Sequence, residues 1–166
     1  MLTLIRATRP PPPLAVPTGY ALRTCSADDV EPLGQLYFDS YDPGEASADR
    51  DDAVADIRAA FAGHYGELWS EASLVATVGG GSADGEIVAA IQVVRRAPWP
   101  GTPDCPFVIE LFTARGHRRR GLARGLIVGA LHAVTENDDG PRLALRVSPD
   151  NDAALRLYRD LGFEQY

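Results

Sequence analysis

The sequence predicts one α/β domain, built on a single mixed and mostly antiparallel sheet with helices on both faces. The second half of the chain alternates strand patterns with helical patterns, and a helix that connects two strands normally makes them parallel, with a right-handed crossover. In the first half, two β-branched strand patterns are separated only by the glycine-rich residues 79–85, which favours an antiparallel hairpin. The length of 166 residues fits one domain with a single core.

The first half combines a proline-rich lead-in at residues 1–17 with short strands and two helices. We expect the lead-in to be extended and polyproline-like where it crosses the surface. The first helix follows Ser26, a suitable N-cap residue, and the second covers residues 51–61; apolar residues recur on one face of each. The strand patterns of this half lie at residues 19–25, 73–78 and 86–96. Residues 79–85 precede a strand rather than a helix, so they predict a flexible turn and not a phosphate loop.

The second half has clear boundaries between its elements. Its strands are predicted at residues 107–113 and 141–148, and its helices at residues 120–134 and 151–163, after a proline-rich loop at residues 96–106. Asn151 lies near the N-cap of the last helix, and Gly162 provides its C-terminal stop. The crossover helix at residues 120–134 carries apolar residues on one face, as a helix that packs on a sheet should.

The charge and composition exclude several classes of protein. The net charge is −7, whereas binding to nucleic acid needs a broad positive field, so we expect no nucleic-acid partner. The apolar runs are too short for a membrane-spanning helix or a signal peptide, which predicts a cytoplasmic protein without a membrane partner. Cys25 and Cys105 are far apart and lack the spacing of a metal site. Residues 28–56 hold ten carboxylates and one arginine, either as a solvated surface or as one that attracts cationic amines.

Residues 113–127 concentrate arginine and glycine at the junction of a strand and a helix. A helix N-terminus offers unpaired N–H groups and partial positive charge, and Gly121 allows close approach to the backbone. The nearby arginines add charge-assisted bonds to phosphate. Leu122 and Ala123 follow Gly121 where a Walker loop needs Lys and Ser or Thr, and the G-x-G-x-x-G of a dinucleotide site is absent from this turn. The pattern predicts a cradle for a pyrophosphate of another kind.

Two motifs resemble the GNAT family of N-acetyltransferases. R-x-x-G-x-A at residues 118–123 resembles the family's acyl-CoA signature, Q/R-x-x-G-x-G/A. Residues 151–163 resemble its last-helix motif, N-x-x-A-x-x-L-Y-x-x-L-G-F, at nearly every position, and ELFT at residues 110–113 resembles its fourth strand. The motifs stand in the family's order, and the specific resemblance covers residues 107–163. It implies the GNAT fold, in which the fourth and fifth strands splay apart.

The resemblance implies acetyl-CoA or another acyl-CoA as co-substrate, without a metal, and transfer of the acyl group to an amine. It places the pyrophosphate on backbone amides of the arginine turn and the pantetheine arm in the cleft between the splayed strands. The implied cofactor-binding residues are Leu111, Phe112, Thr113, Arg118, Arg119, Arg120, Gly121, Leu122, Ala123, Arg124, Asn151, Ala154 and Tyr158.

The resemblance also implies one catalytic residue and leaves another open. Tyr158 matches the family tyrosine that protonates the leaving thiolate, although helical spacing alone would also make it a packing residue. Glu110 is the only carboxylate in the strand where many relatives carry a base, one or three residues earlier, at positions held here by Ile109 and Phe107. Alternation would place Glu110 on the opposite face from those two, unless a bulge turns it back. It is either the base or the holder of a base water, or else it binds substrate or supports the strand. Weaker candidates are Ser148, His117 and His132.

The C-terminal end departs from the family pattern. Only three residues follow Phe163, where the family usually adds one or two strands. We therefore expect the last strands to be missing or short, or replaced by a partner chain, and an exposed edge could pair with a second copy as a homodimer.

Three functions remain open from the sequence. The first is an N-acetyltransferase for a small-molecule or peptide amine, with a cationic amine favoured by the acidic first helices. The second is a CoA-binding regulatory module with weak or no catalysis. The third, a nucleic-acid binder that uses the arginine cluster, is opposed by the overall charge.

Overall fold

The computed structural model describes residues 1–79, 85–137 and 142–166. Its strands are β1 (Leu2–Ala7), β2 (Tyr20–Thr24), β3 (Leu74–Val78), β4 (Glu86–Val94), β5 (Phe107–Thr113), β6 (Arg142–Val147) and β7 (Glu164–Gln165). Its α-helices are α1 (Val30–Ser40), α2 (Arg50–Phe61), α3 (Leu122–Glu136) and α4 (Asp152–Asp160). None of the helices in this part of the chain is long and apolar enough to cross a bilayer.

The strands of the described residues form one sheet in the order β2-β3-β4-β5-β6-β1-β7. Only the β5–β6 pair is parallel, and every other pair is antiparallel. The parallel pairing covers Phe107 with Ala144 and Val108 with Leu145, and it ends there although both strands continue. The predicted fold class is confirmed, including the splayed pair. The turn predicted at residues 79–85 lies largely outside the described residues, but β3 and β4 on either side of it are antiparallel as expected.

The first strand was not predicted. Residues 2–7, which the sequence analysis assigns to the lead-in, pair with β6 over six residue pairs from Leu2↔Val147 to Ala7↔Arg142. The two-residue strand β7 then pairs with β1. The short C-terminal strand is therefore present, but β1 separates it from β6. A six-residue strand whose partner is more than a hundred residues away leaves no local hairpin signal, because the pairing is fixed only by the completed sheet.

The proline-rich segment that follows β1 lies along α3. Nε2 of His132 donates to the carbonyl oxygen of Pro12 at 2.8 Å, and Nη2 of Arg9 donates to the carbonyl oxygen of Thr135 at 3.0 Å. Closer to the start of the helix, a Cβ on Gly125 would meet the carbonyl oxygen of Ala15 at 3.3 Å. The segment is therefore fixed to the helix along its length, and His132 serves this attachment.

The helices cover both faces of the sheet. One hydrophobic cluster joins α3 and α4 to the sheet through fully buried residues such as Leu126, Ile127 and Leu131. A second joins α1 and α2 to the other face through Leu33, Ile57 and Phe112. The side chain of Asp49 caps α2 by accepting from the amide of Asp52 at 2.9 Å, so α2 begins one residue before the predicted range. Between these two helical layers, a cleft opens in the sheet where β5 and β6 separate.

Candidate active site

A bulge in β5 decides where Glu110 points. Gln92 of β4 lies opposite Glu110, and Val93 lies opposite Val108, so Ile109 has no partner in the register. Such an extra residue interrupts the alternation of side chains. Glu110 and Ile109 consequently line the same cavity, on the face covered by α1 and α2. This is the bulged arrangement that the sequence analysis gave as the condition for placing Glu110 with the positions one and three residues earlier.

The arginine turn has an unusual backbone. Arg119 has a φ of 60°, and Gly121, the N-cap of α3, has a φ of 84°. A left-handed conformation costs a residue with a side chain roughly 1–2 kcal/mol, and such outliers concentrate at ligand sites. Together with the free amides of the first turn of α3, the left-handed residues make a concave, positively polarised surface. The turn fits a pyrophosphate.

The arginines of the turn do different things. Nε of Arg118 donates to the carbonyl oxygen of Thr113 at 3.2 Å, and its Nη2 donates to the carbonyl oxygen of Ser40, so Arg118 ties the turn to the end of α1. Arg119 and Arg124 line a cavity of about 710 Å³ beside the turn. Arg120 is exposed and lies outside that lining. Of the predicted cofactor-binding residues, Arg120 is therefore the one that the structure leaves away from the cavity.

A second cavity, of about 400 Å³, lies between the splayed strands. It is continuous in its lining with the first, because the two share Leu111, Asn151, Ala154 and Tyr158. Asn151 also accepts from the amide of Ala154 at 3.1 Å and so caps α4. The cap fixes the start of the helix that carries Tyr158, in agreement with the N-cap prediction.

A third cavity, of about 240 Å³, lies beyond Glu110, under α2. It shares Glu110 and Ile109 with the cleft between the strands. The three cavities thus follow one another from the arginine turn to α2, with Tyr158 at the first junction and Glu110 at the second. A molecule that lies along them would pass both candidate catalytic side chains.

Tyr158 is nearly buried, with 7% of its surface exposed, and its ring meets that of Phe163 edge to face at 5.8 Å. Burial raises the pKa of its hydroxyl to about 12. The group is therefore protonated at neutral pH and can act only as a proton donor in its resting state. Tyr158 both packs in the core and lines the first two cavities, so the two interpretations of this residue are compatible.

Glu110 is a half-buried carboxyl between two cavities. The hydroxyl of Tyr37 donates to its Oε1 at 3.4 Å. Burial, together with the nearby charge of Asp56, raises the pKa of Glu110 to about 8, and the Tyr37 hydrogen bond lowers it by less. A carboxyl with a pKa close to the working pH is well suited to accept and release protons.

The model of the acetyltransferase (GNAT) family matches residues 31–163. The chain belongs to the GNAT family. The resemblance inferred from the two motifs is thereby confirmed, and the match extends it over α1 and α2.

Solved structures show the same fold. A GCN5-related N-acetyltransferase from Sphaerobacter thermophilus matches with a TM-score of 0.73 at 18% identity, over 99% of this chain and 48% of its own. The tandem GNAT protein from the clavulanic acid biosynthesis pathway gives 0.68 at 18%, over 99% and 50%. The aminoglycoside N-acetyltransferase AAC(6')-Iy in complex with CoA gives 0.64 at 24%, over 90% and 92%. This GNAT chain spans about half the length of the first two, and the likenesses concern the fold.

Several side chains that line the cavities were not predicted. The third cavity is lined by Asp56, Tyr65, Gln92 and Trp99 as well as by Glu110. One of them left a signal in the sequence, because Gln92 interrupts the apolar strand Glu86–Val94, and a buried polar residue needs a reason. Tyr65 and Trp99 lie in loops that are far apart in the sequence. Asp56 lies on α2 among several carboxylates, and the sequence does not distinguish it from the others.

The weaker candidates are distributed differently. Ser148 lines the cleft between the strands. Nδ1 of His117 lies 2.9 Å from the hydroxyl of Tyr20, beside the arginine turn. His132 belongs to the attachment of the proline-rich segment and not to the cavities. Within the described residues, no cluster of three or more histidine, cysteine or acidic side chains could hold a metal ion.

Proposed function

We propose that this protein transfers the acetyl group of acetyl-CoA directly to a primary amine, with Glu110 as base and Tyr158 as acid. The observation that carries the proposal is the order of the three cavities, in which these two side chains stand at the two junctions. Family membership supports the general activity, the transfer of an acyl group from acyl-CoA to an amine. The residue roles and the nature of the amine are what the proposal adds.

The arginine turn and α4 would hold the co-substrate. Backbone amides at residues 119–124 would bind the pyrophosphate, and the cationic side chains of Arg119 and Arg124 would add to its attraction. Leu111 and Thr113 of β5 and Asn151 of α4 would border the pantetheine arm. When bound, acetyl-CoA supplies an acetyl thioester whose C–S bond breaks as the C–N bond to the amine forms.

Glu110 would take the first proton. A primary amine is protonated at neutral pH, with a pKa around 10, and has no lone pair for attack until a proton is removed. The pKa of Glu110, raised to about 8 mainly by burial, brings the two pKa values within about two units of each other. Transfer from the ammonium to the Glu110 carboxylate then becomes a small uphill step, and the proton leaves to solvent afterwards.

Tyr158 would supply the proton that the sulfur needs. Tyr158 is one of the residues that line the cleft, and burial keeps its hydroxyl protonated. The amine nitrogen loses two protons in becoming an amide. The first goes to Glu110, and the second replaces the one that Tyr158 gives to the thiolate, so that both side chains return to their starting states with one proton released overall.

The test has two stages, binding and turnover. Saturating acetyl-CoA should raise the melting temperature, since a ligand at ~100 times its dissociation constant stabilises the folded state by about 2.7 kcal/mol, whereas ATP and NAD should not. Release of free thiol is then measured with a panel of primary amines. Thiol release with at least one amine, and acetyl recovered on its nitrogen, supports the proposal. Stabilisation by acetyl-CoA without thiol release over a broad panel would replace it with the non-catalytic CoA-binding module.

A further inference from the structure

Gln92 has a buried side chain whose polar atoms lack partners. It is 0% exposed, and neither its Oε1 nor its Nε2 has a hydrogen-bond partner among the described groups. Buried amides are almost always hydrogen-bonded, so a water molecule or a ligand is expected at this side chain. Gln92 lines the third cavity, opposite Glu110 in the register of β4 and β5. An unpaired donor and an unpaired acceptor therefore lie in the wall of this cavity, in the residue opposite the proposed base.

The same cavity carries negative charge without a counter-charge. Asp56, on α2, lines it together with Glu110, and the hydroxyl of Tyr65 donates to the Asp56 carboxylate. No lysine, arginine or histidine occurs among the described residues of its lining. A second carboxylate at this place is not needed for removing a proton from the reacting amine. It fits a second positive group on the acceptor.

The wall of the cavity is aromatic. The rings of Tyr65 and Trp99 stack with centroids 6.3 Å apart and an interplanar angle of 27°, and Trp99 meets Phe107 edge to face at 6.0 Å. Aromatic faces attract ammonium groups and pack against methylene groups. With a volume of about 240 Å³, the cavity is smaller than the ~300–1,000 Å³ of drug-sized sites. It suits a short, slender chain.

We propose that the third cavity binds a short aliphatic diamine, with one nitrogen at Glu110 and the second, as an ammonium, between Asp56 and Gln92. The ammonium has three donors, which suit the Asp56 carboxylate and Oε1 of Gln92. Nε2 of Gln92, which has no partner in the free protein, would then turn to donate to the Glu110 carboxylate of the neighbouring strand. The methylene chain lies against Trp99. This assignment rests on the proposed function and names its acceptor class.

The first experiment compares acceptors of equal length. Thiol release from acetyl-CoA is measured with diaminobutane, butylamine and aminobutanol. A charged hydrogen-bonded contact corresponds to about a tenfold change or more, so kcat/KM for diaminobutane should exceed that for butylamine at least tenfold. Equal values for diaminobutane and butylamine overturn the proposal. Equal values for diaminobutane and aminobutanol also overturn it, because the cavity would then recognise a polar group rather than a charge.

Three variants locate the preference. Asp56→Asn should reduce the ratio of diaminobutane to butylamine to nearly one, whereas Asp51→Asn removes the same charge from the exposed start of α2 and should keep the ratio. Gln92→Met removes the unpaired amide at similar volume. It should leave the melting temperature unchanged or raise it, and lower the ratio. An unchanged ratio in both Asp56→Asn and Gln92→Met overturns the proposal, and so does a lowered melting temperature in Gln92→Met with an unchanged ratio.

Binding without turnover separates this inference from the proposed function. Calorimetry on the protein saturated with CoA should show diaminobutane binding at least tenfold more tightly than butylamine. If that difference is found but no amine releases thiol, the cavity is confirmed and the catalytic proposal fails. If thiol is released but calorimetry shows no difference, the diamine assignment fails and the acetyltransferase proposal stands.

Discussion

The co-substrate end and the acceptor end of the site are built in different ways. At the arginine turn, the groups proposed to bind the co-substrate are mostly backbone amides and nearby arginines within residues 111–124, completed by α4. At the third cavity, Asp56, Gln92 and Glu110 come from three separate elements of the chain, and the proposed recognition of the acceptor uses side chains alone. Backbone recognition needs a particular local conformation and therefore a sequence motif. Side-chain recognition needs only proximity in the folded protein, so it leaves no contiguous pattern.

The largest effect is expected at the junction of the two ends, in Glu110→Gln. The variant keeps the shape of the carboxyl but cannot accept the proton of the amine. Turnover should fall by about a hundredfold to ten-thousandfold, the usual range for a general base, with unchanged affinity for acetyl-CoA. Steady-state thiol release and calorimetry measure the two quantities, and Glu71→Gln, at an exposed position, is the control. Unaltered turnover would show that the acceptor end works without this base.

Tyr158→Phe should have the next largest effect. A thiolate, whose conjugate acid has a pKa near 8.5, leaves fairly well unaided, so the loss of its proton donor should lower turnover by about a hundredfold, near the low end of the general-acid range. Acetyl-CoA affinity should be retained, because the ring still packs against Phe163. Tyr166→Phe, which removes a hydroxyl from an exposed ring, serves as the comparison. A large loss of acetyl-CoA affinity in Tyr158→Phe would instead assign the hydroxyl to co-substrate binding.

The co-substrate end can be tested with matched arginines. Arg119→Ala combined with Arg124→Ala should weaken acetyl-CoA binding about tenfold, since both side chains line the first cavity. Arg120→Ala removes a neighbouring charge that lies outside that lining and should change binding little. The dissociation constants of acetyl-CoA for these variants are measured by calorimetry. An equal loss in Arg120→Ala would mean that the general positive field, and not the geometry of the turn, attracts the diphosphate.

The acceptor end should also determine the pH dependence. The titratable groups facing Glu110 are Tyr37, Tyr41, Tyr65 and Asp56. Because Glu110 must be ionised to act, kcat/KM should rise with pH through about 8. Asp56→Asn removes a charge that helps to raise the pKa of Glu110, so the rise should move to lower pH. A rise that stays in place would show that burial alone sets this pKa.

The smallest effect concerns stability. The pKa of the Glu110 carboxyl is about 8 in the folded protein and 4.5 in the unfolded chain, so the folded protein holds this proton more tightly. The contribution of this proton to the stability of the fold is therefore fully present below pH 4.5 and is lost as the pH rises through about 8. Glu110→Gln does not titrate, so its melting temperature should gain on that of the wild type across this window. A constant difference between the two melting curves would mean that Glu110 ionises in the folded protein as easily as in water.

The sequence predicts the co-substrate half much better than the acceptor half, for the same physical reason. The strand, turn and helix around Gly121 are local, and the cap at Asn151 is set within three residues. The bulge at Ile109 could be named only as a condition, because it depends on how β5 meets β4. Gln92 could have been singled out, because it is a polar residue within an otherwise apolar strand. Asp56 could not have been singled out, since nothing in the sequence distinguishes it from the other carboxylates of residues 28–56.

The placement of β1 next to β6 has a consequence for how the protein acquires its structure during synthesis. Residues 2–7 of β1 are synthesised well before residues 142–147, with which they pair. Pairing at such long sequence separation is slow, because a large loop must close before any contact forms. The nascent chain can assemble β2 to β5 and their helices earlier, whereas the cleft between β5 and β6 cannot form until residues 142–147 have been made. Until then, β1 has no partner strand, and an unpaired strand is open to pairing with other chains.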